Sequence, residues 1–215
     1  MKNMKINDEG FSLVELIVSV LITGILMVAV GMFMSTSRNA YQSVSTSARL
    51  QEESMTVERV LSEYIMEAQK YGKDLGETVS GKVVDIYWVK TRPVEGTSST
   101  PKVYFFVYDS NEKTLRYYEG SEGDVDEASG SITAGGINHL ATGVFGANAK
   151  YSLVASYVDS ITEKKIVKKD DGTDFICLEL QYSYLDRTYT DNLTVVTRNK
   201  TGNIVTPDPD PGEGP

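Results

Sequence analysis

The most apolar stretch of the chain is Phe11 to Met34, FSLVELIVSVLITGILMVAVGMFM, 24 residues without a Lys or Arg. As a helix rising about 1.5 Å per residue it reaches roughly 36 Å, enough to cross a hydrocarbon core of about 30 Å. It is longer than the apolar part of a secretory signal, and no A-x-A cleavage pattern follows it. Lys2 and Lys5 precede it and the next basic residue is Arg38, which predicts a cytoplasmic start with the remainder outside. Beyond Met34 the pattern thins to one face. Ser35 to Tyr71 contains no Gly or Pro, and Val57, Val60, Leu61, Tyr64, Ala68 and Tyr71 follow the i, i+3, i+4 rule of an amphipathic helix. Tyr41, Val44 and Ala48 extend a thinner stripe upstream. The pattern predicts one helix of about 90 Å from Phe11 to Tyr71, stopped by Gly72. Two helices with a bend near Ser35–Ser37 are the alternative.

After Gly76 the period changes. Val83–Lys90 and Val103–Asp109 are rich in β-branched and aromatic residues. The turn-like Asp109-Ser110-Asn111-Glu112-Lys113 predicts a hairpin into Thr114–Tyr118. Tyr151–Val158 alternates in part, and Phe175–Tyr184 with Thr188–Thr197 predicts a second hairpin around Leu185-Asp186-Arg187. Thirteen tyrosines, mostly in these runs, suit half-exposed sheet faces. A sheet with one apolar face needs a cover, and the amphipathic half of the helix is the candidate. The predicted class is α+β: a long N-terminal helix on an antiparallel sheet. Glu119–Gly136, glycine-rich with Glu119, Glu122, Asp124, Asp126 and Glu127 and no base, is predicted to be an exposed loop. Pro207–Pro215 holds four of the six prolines and is predicted to be a flexible acidic tail.

One residue interrupts the apolar run. Glu15 is a carboxylate in a membrane-length helix, which costs a few kcal/mol or more unless it is paired. No base lies within two turns of it. Either it sits at the headgroup level or its partner comes from elsewhere. Gly10-Phe11-Ser12-Leu13-Val14-Glu15 resembles the processing site of type IV prepilins and type II secretion pseudopilins. The resemblance joins Gly-Phe at the cut, a glutamate four residues on, and an uninterrupted apolar helix. It implies a leader of residues 1–10 cut after Gly10 by a prepilin peptidase, N-methylation of Phe11, and Glu15 as the assembly glutamate. It implies a pilin-like fold divided into the leader, a filament-core helix 11–34, its amphipathic continuation 35–72, a β-rich domain 73–206 and the tail 207–215. The leader departs from the family in carrying Asp8 and Glu9 beside the cut, and position 32 is Met where major pilins often carry a proline. Gly24 and Gly31 are the only helix-weakening residues within the span. Ser37, Tyr41, Ala48-Arg49-Leu50-Gln51-Glu52 and Ala68 resemble the PilW-type minor pilins and the J-type pseudopilins, which implies a tip or priming position.

The chemistry of such a site can be stated directly. Cleavage creates a positive amine at Phe11, and in a filament of side-by-side helices that amine is buried in apolar surroundings. A buried charge is tolerated only when paired. Glu15 of a neighbouring helix supplies the carboxylate, and one amine and one acid per subunit make a contact that propagates.

The formal net charge of −9 argues against a general nucleic-acid binder. The single Cys177 excludes an intramolecular disulfide. Within Phe175-Ile176-Cys177-Leu178 it reads as a buried core thiol, with a reactive thiol as the alternative. His139 has no partners at metal or triad spacing and reads as structural or solvent-facing. Asp124, Asp126 and Glu127, and Asp170, Asp171 and Asp174, are short of a calcium loop and read as turn residues. No P-loop, H-E-x-x-H or C-x-x-C is present, so no catalytic residue, metal or cofactor is expected. The expected partners are a prepilin peptidase, other pilin or pseudopilin subunits, an assembly platform and the membrane. The expected location is a single-pass cytoplasmic membrane protein that later joins an extracellular filament. A type IV pilus, a secretion pseudopilus and a competence filament for DNA uptake remain open, as does a membrane-anchored extracellular binding domain that never polymerises.

Overall fold

The computed structural model describes residues 12–91, 101–168 and 174–198, the side chains of 165–168 excepted. The leader, the tail and the acids at 170 and 171 lie outside them. The chain divides into two units, Met1–Ser45 and Thr46–Pro215. In the first unit the described residues are helical from Leu13 onward, the start of helix α1 (Leu13–Met66). Every residue from Ser12 to Gln42 is exposed. Tyr41 and Val44, on the thinner apolar stripe upstream, are 77% and 70% exposed.

In the second unit the rest of α1 buries Thr46, Leu50, Ser54, Val57, Leu61 and Ile65, the three-and-four spacing of one helical face. The helix ends at Met66, five residues before the expected Tyr71. The chain goes directly into an edge strand, β1 (Ala68–Val79), paired antiparallel with β2 (Lys82–Thr91). Ala68 and Tyr71 therefore belong to a sheet. The turn between them places Ser80 and Gly81 at φ 52° and 79°, as a two-residue primed hairpin requires. With β3 (Val103–Asp109), β4 (Thr114–Gly120) and β7 (Ser152–Ser156) they form a five-stranded sheet ordered β1-β2-β3-β4-β7. A second sheet, ordered β10-β9-β8, contains β8 (Val158–Lys168), β9 (Asp174–Tyr184) and β10 (Arg187–Val196). Both expected hairpins, β3–β4 and β9–β10, are present.

The sheet has two cores rather than one. Phe106 and Tyr108 of β3 join Leu50, Val57, Leu61 and Ile65 of α1 and Leu178, Leu180 and Leu193 of the smaller sheet. Val103, Phe105 and Val107 point the other way, to Trp88, Val125, Leu140 and Val144. Both faces of this central strand are buried, which is why Val103–Tyr108 reads as an unbroken run of apolar and aromatic residues. The second core is closed by the segment expected to be an exposed loop. It forms a 3-10 turn at Glu122–Asp124, the short strands β5 (Val125–Asp126) and β6 (Ser131–Ile132), and the first turn of helix α2 (Ala134–Gly143), which continues beyond it. Cys177 is also corrected. Ile176 and Leu178 point inward, so Cys177 faces the opposite side and is only half-buried, with the Thr194 hydroxyl 3.7 Å from its sulfur.

Candidate processing and assembly site

Gly10 and Phe11 lie outside the described residues, and the described site begins at Ser12. Its Oγ accepts from the backbone N–H of Glu15 at 3.2 Å, and its carbonyl accepts from Leu16 N at 3.2 Å. Ser12 is thus the N-cap of α1 and Glu15 its third helical residue. The sequence signal for this helix start is Ser-x-x-Glu before an apolar run, the spacing of a capping box. A carboxylate in the first turn is favoured by the partial positive charge of the helix start. Glu15 is exposed, with no basic side chain paired to it among the described residues.

The other polar groups nearby are satisfied within the helix. Ser19 Oγ donates to Glu15 O at 2.7 Å, and Thr23 Oγ1 donates to Ser19 O at 2.7 Å. Glu15, Ser19 and Thr23 recur every four residues and share one side of α1. Bonded back to the preceding turn, the two hydroxyls leave no donor exposed to an apolar medium. Glu15 is the one group on that stripe that a neighbour can still neutralise. The flanking Leu13 and Leu16 are 76% and 58% exposed, and the helix is long and apolar enough to cross a membrane.

The remaining chemical candidates go to separate structural tasks. Asp124 is buried, accepts from Ser121 N at 2.8 Å and Ser121 Oγ at 3.1 Å, and lies 2.6 Å from His139 Nδ1. His139 is exposed at the surface of α2. Asp126 accepts from Ala128 N at 3.0 Å and Ser129 Oγ at 2.8 Å, and these bonds, Ser129 first, hold its pKa down. Glu127 pairs with Lys70 and with the buried Lys90, which also pairs with Glu122. These hydrogen bonds, Lys70 first, hold the Glu127 carboxyl below its ordinary range. The three acids thus turn to three different sets of partners. Asp174 is buried, and its backbone N–H donates to Thr197 Oγ1 at 2.9 Å.

No curated protein and no solved structure matches the chain. A family model does match its start, over residues 6–31, which includes Gly10, Phe11, the Ser12 cap, Glu15 and the exposed apolar turns that follow. Those residues carry the prokaryotic N-terminal methylation motif, the type IV prepilin-like signal.

Proposed function

We propose that this protein is a minor pilin or pseudopilin: cut after Gly10 by a prepilin peptidase, methylated at Phe11, and built into a type IV pilus-like filament with other pilin subunits. The observation that carries the reading is the methylation motif over 6–31 with Glu15, unpaired among the described residues, in the first turn of an exposed apolar helix. Before assembly the helix spans the cytoplasmic membrane with the β-rich unit outside. On extraction by the assembly platform, Glu15 receives the Phe11 amine of a neighbouring subunit. Leaving one partner of a buried ion pair alone costs about 3–5 kcal/mol, enough to decide whether a subunit enters the polymer. The chain serves as a structural subunit rather than a catalyst, and a tip or priming position follows from the likeness of Ser37–Ala68 to PilW-type and J-type proteins.

Mass spectrometry of the mature protein tests the first step. The expected chain begins at a methylated Phe11. An intact Met1–Gly10 would point instead to an anchored domain that never polymerises. Glu15→Ala should leave membrane insertion unchanged and remove the protein from sheared filaments; wild-type incorporation would sink the pairing role.

A further inference from the structure

β1 is an edge strand of the five-stranded sheet, and Tyr71 and Lys73, two residues apart, lie on the same side of it. On that side both reach residues of the smaller sheet. The Asp174 carboxylate of β9 holds the Tyr71 hydroxyl, and Lys73 pairs with Glu163 of β8 at 3.4 Å. Beside them lies a cavity of about 470 Å³, walled by Leu61 and Ile65 of α1, Phe106 of β3, Ile161 of β8 and Ile176 of β9. That volume lies in the range of small-molecule sites, about 300–1,000 Å³, which combine apolar walls with a few placed polar groups. Lys73, Asp74, Ser129, Ser131 and Glu163 also line it, so an apolar chamber carries a charged end.

The charges narrow the ligand class. Asp74 turns to the other face of β1, where it accepts from Ile132 N at 2.7 Å, and Ser129 Oγ donates to Asp126 at 2.8 Å. The Lys73–Glu163 pair is held less tightly. Its 3.4 Å exceeds the about 2.7–2.9 Å of a closed charge-assisted hydrogen bond, and the two side chains stay 28% and 23% exposed. A lone anion drawn to Lys73 would face Glu163 beside it and Asp174 at Tyr71. After burial, those two carboxylates are what raise the Tyr71 pKa, Asp174 ahead of Glu163, so the surroundings of the phenol oppose negative charge. A lone cation drawn to Glu163 would face the Lys73 ammonium. A molecule carrying both charges enters the pair and gives each residue a partner of opposite sign.

We propose that this cavity binds a small zwitterion with an apolar body, a free amino acid of the phenylalanine type. Its carboxylate pairs with Lys73, its ammonium with Glu163, and its side chain lies among Leu61, Ile65, Phe106 and Ile161. The site is independent of the N-terminal motif.

Calorimetric titration of the full-length protein in detergent tests this, with L-phenylalanine and three analogues that each lack a charge. The expected result is saturable binding of phenylalanine. Phenethylamine, hydrocinnamate and the neutral phenethyl alcohol each bind at least roughly tenfold more weakly, the worth of a charged hydrogen bond. Lys73→Met and Glu163→Gln, with near-ultraviolet circular dichroism unchanged, each weaken phenylalanine by about the same factor. Lys73→Met also closes the gap between phenylalanine and phenethylamine, because the carboxylate has lost its partner. Ile161→Phe, which projects a ring into the cavity, abolishes binding. No saturable heat, an analogue binding as tightly as phenylalanine, or binding that survives Ile161→Phe would overturn the proposal. The analogue series on the unaltered protein decides the charge requirement even where a variant fails to fold.

Discussion

Gly72→Ala adds one methyl group at a place where the second core leaves no room for it. Gly72 of β1 lies opposite Trp88 of β2. A Cβ at position 72 would stand 2.5 Å from Trp88 Cε2 and Cζ2 and 2.6 Å from the Gly130 carbonyl oxygen. Ordinary carbon contacts need about 3.5–4.0 Å, so an ångström or more must be found. The indole cannot swing into solvent, because Trp88 is 1% exposed and its Nε1 donates to that same Gly130 oxygen at 3.1 Å. Overpacking of this kind costs about 1–3 kcal/mol, and a strained or lost indole hydrogen bond adds about 1. Alanine returns up to about 1 kcal/mol by narrowing the unfolded ensemble. The net expectation is a loss of about 2 kcal/mol, or roughly 4–8 °C in melting temperature for a unit of this size. Trp88 is the sole tryptophan, so its emission during urea unfolding reports on the site itself. Gly76→Ala is the control: it faces open space at φ 71°, so backbone strain lowers stability by about 1 kcal/mol without altering native Trp88 emission. A Gly72→Ala midpoint at or above wild type would refute the reasoning, since it would mean that β1 does not press on the indole.

Acid should loosen the same unit. Glu112 is held low by hydrogen bonds from Lys82 first and then Arg116, Glu127 by Lys70 and then Lys90, and Asp159 by Lys113 and then Ser183. For each, the folded pKa lies below the unfolded one, so the folded state binds fewer protons near pH 4. The stabilisation is complete above the unfolded pKa and is lost as pH falls through the folded one. Urea midpoints should hold from neutral to about pH 5 and decline below it, with a shallower decline in Lys82→Met; a flat profile to pH 3 would count against these pairs. Cys177→Ser should change stability by less than about 1 kcal/mol, because the thiol faces away from the core, and maleimide should label the native protein. Protection of the thiol until unfolding would place it inside.

What could be read from the sequence follows from how many faces each element buries. The membrane-length run, apolar but for Glu15, and β3, apolar and aromatic up to Asp109, stand out. β9 and β10 were found as a hairpin, yet the side of Cys177 was not, because Phe-Ile-Cys-Leu reads as a solid apolar block while only Ile176 and Leu178 enter the core. β1 was missed because AQKYGKDLGETV is charged, glycine-bearing and irregular, with register shifts between Ala68 and Lys70 and between Asp74 and Glu77. Its Ala68 and Tyr71 happen to continue the helical spacing of Val57, Leu61 and Tyr64. The stop at Met66 carries no local signal. Its carbonyl accepts from Arg198 N at 2.8 Å, a contact 132 residues away in sequence that no window along the chain contains. The closing segment around α2 was hidden by its own glycines. Gly136 is required where a Cβ would run into the Asp124 carbonyl, so there glycine marks close packing where it had suggested a loop; beyond that segment, a Cβ at Gly143 would strike the Tyr118 ring.

The tyrosines show the same difference between composition and placement. A sheet edge exposes unpaired carbonyls and amides, and β8 is an edge of its own sheet. Successive carbonyls on a strand point to opposite sides, so residues 159 and 161 present theirs in one direction. Tyr108 and Tyr87 reach across from the five-stranded sheet and satisfy both. Burial first, and then nearby carboxylates, raise both phenols, Tyr108 to about 12, so they stay protonated donors throughout the physiological range. A chain with a single cysteine cannot staple its sheets with a disulfide, and here long hydroxyl-tipped side chains join one sheet to the edge of the other. This explains why tyrosine, rather than phenylalanine, occupies positions that are otherwise core.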